Sequence, residues 1–460
     1  MADGKYLTAP VPSTTMPPGV PYIVGNEAAE RFSYYGMRSI LLVFMTQYLM
    51  GLDGKPHVMR DEDARGWLHL FFASVYFCPL IGAVIADVFW GKYKTVIYLS
   101  VVYCCGHIAL ALNDTRIGLA IGLGLIAIGS GGIKPCVSSN VGDQFGKDNR
   151  HLLTRVYNWF YFSINLGSVV AMLLIPWLLD RLGPKWGPHI AFGTPGLLML
   201  IATWLFWLGR NKFVHVPPSG LAAVRKVFSL ENLKALAGLL PIYVFISIWW
   251  SLYDQCSSSW VDQAQKMDRH LLGHEWLASQ FQAANPFLVL IYIPLFTYVI
   301  YPTASKWVPL TPLRKMSVGF FFAVASFAVP AWVQTRIDAG LTPTIWWQML
   351  AYGFLMASEV LIYATGLEFS YVQAPKGMKS VIMAFFLATN SAGNLFTSAV
   401  NFFIANPDGK PKLSAVNYYL FFTGLMFVAA VVFIFVAQGY RGRTYLQGED
   451  ETESAAPEVA

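Results

Sequence analysis

Apolar stretches of about 20 residues, enough for a helix to cross a hydrocarbon core some 30 Å thick, recur along the whole 460-residue chain. They lie near 27–50, 66–89, 95–112, 117–138, 154–177, 188–209, 234–256, 281–301, 314–335, 345–371, 378–405 and 414–438, which makes about twelve spans. Lipid offers the backbone no hydrogen-bond partner, so each span closes its own bonds as a helix. The chain therefore reads as an all-α polytopic membrane protein. With 55% hydrophobic and 13% charged residues it does not fit an ordinary soluble domain.

Six spans, a basic Pro-containing stretch and six more suggest two six-helix halves with a central cavity between them. The expected boundaries are a tail over 1–22, a bundle over 23–209, a linker over 210–233, a second bundle over 234–440 and a tail over 441–460. The first 22 residues hold prolines and no apolar core, so they do not read as a cleaved signal, and the first helix is expected to persist. The acidic end after Gln447 is expected to be disordered. Lys and Arg gather in alternate loops, around Lys92 and Lys94, Lys147 to Arg155, Arg210 to Lys234, Lys376 to Lys379 and Arg441 to Arg443. That asymmetry puts both termini in the cytoplasm of a multi-pass protein of the plasma, or inner, membrane. All five cysteines fall in or beside apolar spans and read as small core residues. No metal site and no cofactor are implied.

The first span carries two acids and two bases where charge is expensive. At about 100° per residue, Glu27, Glu30, Arg31, Tyr34 and Arg38 share one arc about 100° wide, so they turn together toward an interior. Tyr35 lies in the same run. Such a cluster suits a proton and substrate path; the alternative is interfacial charges snorkelling at a helix end, which short Glu side chains do poorly.

Other spans add isolated polar groups. His69 and Tyr76 lie two turns apart on the second, where the histidine is either a hydrogen-bonded structural residue or a functional one. Lys134, in Gly129-Ser130-Gly131-Gly132-Ile133-Lys134-Pro135, needs an anion if it is to stay charged in the membrane. Glu27 and Glu30 are its natural partners, unless the charges form a static packing network. Tyr157, Tyr161 and Asn165 make a four-residue polar stripe that fits a peptide group or interhelical bonding. Asp254 is the acid on the seventh span placed to meet Arg38 as a gate, unless it is an interfacial acid at a helix end. Asn285 marks the eighth, Glu359 with Tyr363 the tenth, and Phe386, Asn390 and Asn394 the eleventh. Bases in the first half and Glu359 in the second form a bipolar set suited to a zwitterion. No nucleophile and base pair or metal cluster supports an enzyme.

These segments resemble the proton-coupled oligopeptide transporter family of the major facilitator superfamily. The resemblance rests on Glu27 to Gly36, Gly82 to Lys94, Gly131-Gly132-Ile133-Lys134-Pro135-Cys136, Phe160-Tyr161-Phe162-Ser163-Ile164-Asn165-Leu166-Gly167-Ser168, and Gly366-Leu367-Glu368-Phe369-Ser370-Tyr371 followed by Gln373-Ala374-Pro375. It implies a symporter that imports di- and tripeptides with protons by alternating access. Glu27, Glu30 and Arg31 would couple the proton with Lys134 as partner, and His69 would join in proton handling. Tyr34, Arg38, Tyr76, Asn165, Asn285 and Glu359 would contact peptide, with Tyr35, Tyr161, Lys134, Phe386 and Asn390 beside them. The peptide carboxylate would lie near Arg38 and Lys134, and its amino group near Asn165, Asn285 and Glu359. The implied partners are small peptides, protons and the bilayer, with no nucleic acid, and one protomer would suffice.

Departures from the family pattern are Phe386, where many members have Trp, a linker too short for two extra helices, and a Thr335 to Thr344 loop too short for the animal members' external domain. The rival readings are a same-family carrier of nitrate or other anions and a proton-coupled multidrug exporter.

Overall fold

The computed structural model describes residues 6–218, 220, 230–374, 379–406 and 411–440. Pro375 and Lys376, the centre of the linker and the tail 441–460 lie outside the described residues, as does the side chain of Lys379.

The twelve long helices of the described chain are α1 (Val20–Val43), α2 (Asp61–Val84), α3 (Lys92–Leu112), α4 (Arg116–Asp143), α5 (Leu153–Arg181), α6 (Gly183–Leu208), α7 (Leu230–Tyr253), α8 (Ala284–Leu295), α9 (Pro312–Asp338), α10 (Trp346–Glu359), α11 (Lys379–Ile404) and α12 (Ala415–Gly439). Eleven spans among the described residues are long and apolar enough to cross a membrane. The remaining helix, α1, is long enough but carries the charged cluster.

The helices overrun the apolar stretches where polar residues are good first-turn residues. α1 starts at Val20, inside the stretch expected as tail, because Pro21 in its first turn gives up an amide that no helical carbonyl would have reached. α2 starts with Asp61, Glu62 and Asp63, acids that complement the positive end of the helix dipole. Wider π turns extend four helices, at Phe44–Tyr48, Ile85–Trp90, Phe296–Ile300 and Val360–Ala364. The last begins directly after Glu359.

The chain forms two compact units, one of residues 1–64 and 74–224 and one of residues 65–73 and 225–460. Helix α2 thus contributes to both. In the first unit α3 runs along α4, and α1 packs on α5 and α6. Gly82 of α2 and Gly132 of α4 meet backbone to backbone, and a Cβ on Gly82 would fall on the Gly132 main chain. The N-terminal tail closes on the segment after α6. Leu7 pairs with Val214, the His215 amide donates to the Leu7 carbonyl at 2.7 Å, and the Tyr6 and His215 rings stack at 4.3 Å.

In the second unit α9 packs on α10 and α12, and α7 on α11. Residues 65–73 join it through Ser398 Oγ donating to the Gly66 carbonyl at 2.8 Å, Ser391 Oγ to Ala73 O at 2.7 Å, and an Arg65–Asp262 ion pair at 2.9 Å. Between α7 and α8 stands a two-residue hairpin, β1 (His270–Leu271) against β2 (His274–Glu275). Its turn places Leu272 and Gly273 at φ 53° and 79°, the left-handed pair that two-residue hairpins favour.

Candidate functional site

Many of the polar residues expected from the sequence gather in groups within each unit. In the first, α1 brings Glu27, Glu30 and Arg31 to the α4 face that carries Ser130 and Lys134. Arg31 holds both acids: its Nε lies 3.0 Å from Glu27 Oε1 and its Nη2 lies 2.5 Å from Glu30 Oε2. Ser130 Oγ donates to the second Glu30 oxygen at 3.3 Å. All three charged groups are at least nine-tenths buried, so the fork of the guanidinium compensates two carboxylates that water cannot reach.

The pairing expected between Lys134 and these acids is not formed. Among the described residues no carboxylate lies within ion-pair distance of Lys134, and its ammonium sits over the rings of Tyr76 at 4.0 Å and Tyr34 at 4.7 Å. Arg31 wins because, being on α1, it reaches both acids along one helix face, whereas Lys134 reaches across from α4 and finds ring faces that still favour a cation. Tyr35 meets Tyr34 edge to face at 5.3 Å, and Arg38, two turns beyond Arg31, is buried.

The expected stripe on α5 is partly spent on its own surroundings. Asn165 Nδ2 donates to the Tyr161 carbonyl at 2.9 Å, and Tyr157 Oη donates to Ser138 O at 3.4 Å. Tyr161 keeps a substantial exposed surface while Asn165 is nearly buried.

In the second unit the expected acid of α10 has a partner that sequence reasoning missed. Tyr253, the last residue of α7, donates to Glu359 Oε2 at 2.7 Å and accepts from Asn285 Nδ2 at 2.8 Å. An aromatic file surrounds this trio. Trp249 and Trp250 lie 4.8 and 4.9 Å from Tyr253, Trp250 meets Tyr363 at 5.5 Å, and Tyr363 meets Phe386 at 5.5 Å. The sequence signal for Tyr253 was its place beside Asp254, but only the fold turns it toward α10.

Asp254 lies just past the end of α7, opening a tight turn over Asp254–Ser257. Its Oδ2 accepts from Asn390 Nδ2 at 3.1 Å and Asn394 Nδ2 at 2.7 Å. The Asn394 oxygen is then left to accept from His69 Nδ1, 2.7 Å away, and the opposite ring nitrogen meets Ser258 Oγ at 2.8 Å. His69 is fully buried with both ring nitrogens bonded. Because a hydroxyl both donates and accepts, Ser258 satisfies the ring in either protonation state. The gate expected from Arg38 and Asp254 takes one residue from each unit.

A sequence profile described as the POT family matches residues 93–230 and 221–419. Solute carrier family 15 member 2 of Mus musculus is 36% identical over 387 residues, covering 74% of this chain and 52% of that protein. Peptide transporter family 1 of Drosophila melanogaster is 32% identical over 377 residues, covering 73% and 49%. The chain spans about half the length of these relatives. The in meso crystal structure of the POT family transporter PepTSo superposes with a TM-score of 0.83 at 35% identity, covering 93% of this chain and 99% of that one. The crystal structure of an auto inhibited POT family peptide transporter gives 0.84 at 36% identity, covering 94% and 99%. The chain is an all-α, multi-pass membrane protein of the major facilitator type and belongs to the POT family.

Proposed function

We propose that this protein is a proton-coupled symporter that imports di- and tripeptides by alternating access, lying in the plasma membrane with both termini in the cytoplasm. The observation that carries the reading is the buried cluster of Glu27, Glu30 and Arg31 with Lys134 beside it. Two carboxylates share one guanidinium, so adding a proton to either weakens one arm of a pair held in a low dielectric. The freed arm changes what α1 and α4 offer to each other and to a substrate anion. A proton that altered no contact would shift no conformational equilibrium.

The two units offer chemically opposite groups. The first supplies Arg38 and Lys134, cations suited to a carboxylate, with Tyr34, Tyr35, Tyr76, Tyr161 and Asn165 as hydrogen-bonding and stacking neighbours. The second supplies Glu359, held by Tyr253 beside Asn285, an acid suited to an ammonium, with Phe386 against Tyr363 and Asn390 on Asp254. A zwitterion with its charges apart, such as a short peptide, uses both. His69 and its link to Asp254 through Asn394 belong to proton handling in this reading, which assigns gating roles to Arg38 of one unit and Asp254 of the other. The peptide-transporter names borne by the relatives agree with the substrate class. One protomer carries every group invoked.

The test is uptake of labelled dialanine into proteoliposomes of the purified protein, with and without an inward proton gradient. Accumulation that collapses on adding an uncoupler is the expected outcome. Uptake of nitrate in place of dialanine would turn the reading to an anion carrier, and drug efflux without peptide uptake to an exporter.

A further inference from the structure

A seam of buried polar groups runs through the first unit where α1, α3 and α6 meet. On α3, Ser100, Tyr103 and His107 follow at spacings of three and four residues and share a face; on α1, Asn26, Glu30 and Ser33 do the same. All six are at most 1% exposed.

The seam is closed at one end by a set of bonds that fixes a tautomer. Ser33 Oγ donates its single hydrogen to the Pro195 carbonyl of α6 at 2.6 Å, so it accepts from His107 Nε2, 2.9 Å away. His107 therefore carries its hydrogen on Nε2 and turns a bare Nδ1 lone pair into the interior. Toward the opposite end, Asn26 Nδ2 donates to the Ala202 carbonyl of α6 at 2.9 Å. Between them the Tyr103 ring stacks on His107 at 5.0 Å and its hydroxyl lies beside Ser130, the donor to Glu30.

Four buried atoms along this seam have no hydrogen-bond partner among the described residues: Asn26 Oδ1, Ser100 Oγ, Tyr103 Oη and His107 Nδ1. Buried polar atoms in folded proteins pair with protein groups or with ordered water, and several on one seam define a site for water. The charged and titratable groups around Tyr103 are Glu30, Arg31 and Tyr34 from α1, with His107 on its own helix, while α6 offers the Pro195 and Ala202 carbonyls.

We propose that a file of ordered water fills this seam, and that Tyr103 and Ser100 hold it as a proton route between Glu30 and the Asn26 end of the helices, with His107 as its closed end. The proton leaves the Glu30 carboxyl through the Ser130 hydroxyl, crosses to the Tyr103 hydroxyl by way of water and passes along the file, each oxygen releasing one hydrogen as it accepts another. No other bond changes. The inference rests on the proton-coupling reading, and it adds positioning residues that read as ordinary apolar-helix contents in the sequence.

Two variants and one structure test it. Tyr103→Phe removes a single oxygen, and Ser100→Val fills water-sized space with methyl groups. In proteoliposomes, proton-driven uptake of dialanine should fall about tenfold in each while peptide exchange without a gradient stays within about twofold of the unaltered protein. Retained exchange also shows that the variant is folded. Driven uptake unchanged in both variants, or driven uptake and exchange falling together, would overturn the route. An experimental map sharp enough to show waters elsewhere should show water within hydrogen-bond distance of Tyr103 Oη or His107 Nδ1. A dry seam there rejects the proposal by itself. Failure of the unaltered protein to take up peptide under a gradient would reject the transport reading instead, leaving the map to decide the seam.

Discussion

Glu30 and Glu359 are acids of opposite units, and each is held by a different kind of partner. Glu30 pairs with a guanidinium and Ser130, so Gln at this position keeps size and polarity but has no proton to take or release. Glu30→Gln should cut gradient-driven uptake at least tenfold while peptide exchange across the bilayer survives, as read by counterflow; persistent accumulation would remove Glu30 from the coupling role. Glu359 instead accepts from a tyrosine, a neutral donor, and among the described residues it has no basic partner, so its carboxylate suits an ammonium. Glu359→Ala should therefore weaken binding of peptides with a free amino end by about tenfold, or about 1.4 kcal/mol, and N-acetylated peptides far less. Equal losses by competition assay would refute that contact. The acids were legible because charge in an apolar span has few explanations. Their partners were not: that Arg31 takes both Glu27 and Glu30, that Lys134 lies over two rings, and that Tyr253 caps Glu359 depends on which helix faces which.

Among the elements, the helices themselves were read correctly in number and kind, while their ends moved outward wherever Pro21 or the Asp61 to Asp63 acids suit a first turn. The π turns left no trace in the residue pattern. The turn beginning after Glu359 widens α10 at the acid, where π turns are often functional. The clamp of the N-terminal tail on the segment after α6 was equally hidden, since neither Leu7 nor Val214 looks like a strand. Its His215 is half-buried between Tyr6 and Tyr93 and donates to the Arg210 carbonyl at 2.8 Å; burial lowers its pKa from the usual histidine value. A histidine whose folded pKa is depressed stabilises the clamp above its ordinary value near 6.5, and that contribution is lost as the pH falls below it. Amide exchange at Leu7 and His215, corrected for intrinsic rates, should rise between about pH 7.5 and about pH 5.5. A flat profile, or one unchanged from that of His215→Phe, would show that the ring does not sense pH.

At the scale of the whole molecule, the proposed activity has an energetic bound. One proton entering with a zwitterion across about 100 mV contributes roughly 2.3 kcal/mol, enough for about fortyfold accumulation. Dialanine at steady state in liposomes clamped at that potential, with no pH difference, should approach this ratio and not exceed it. A plateau far above it would mean that more than one charge moves per peptide. The apolar spans by themselves determined that the chain is a membrane-spanning protein of about twelve helices, because lipid leaves the backbone a single regular option. The same spans exposed the ionisable candidates, since every charge in them needs a compensating reason. Tertiary structure alone decided the pairings, the buried seam beside Glu30 and the assignment of residues 65–73 to the second unit. Those depend on the rotation and depth at which neighbouring helices pack, which small residues such as Gly82 and Gly132 permit without dictating.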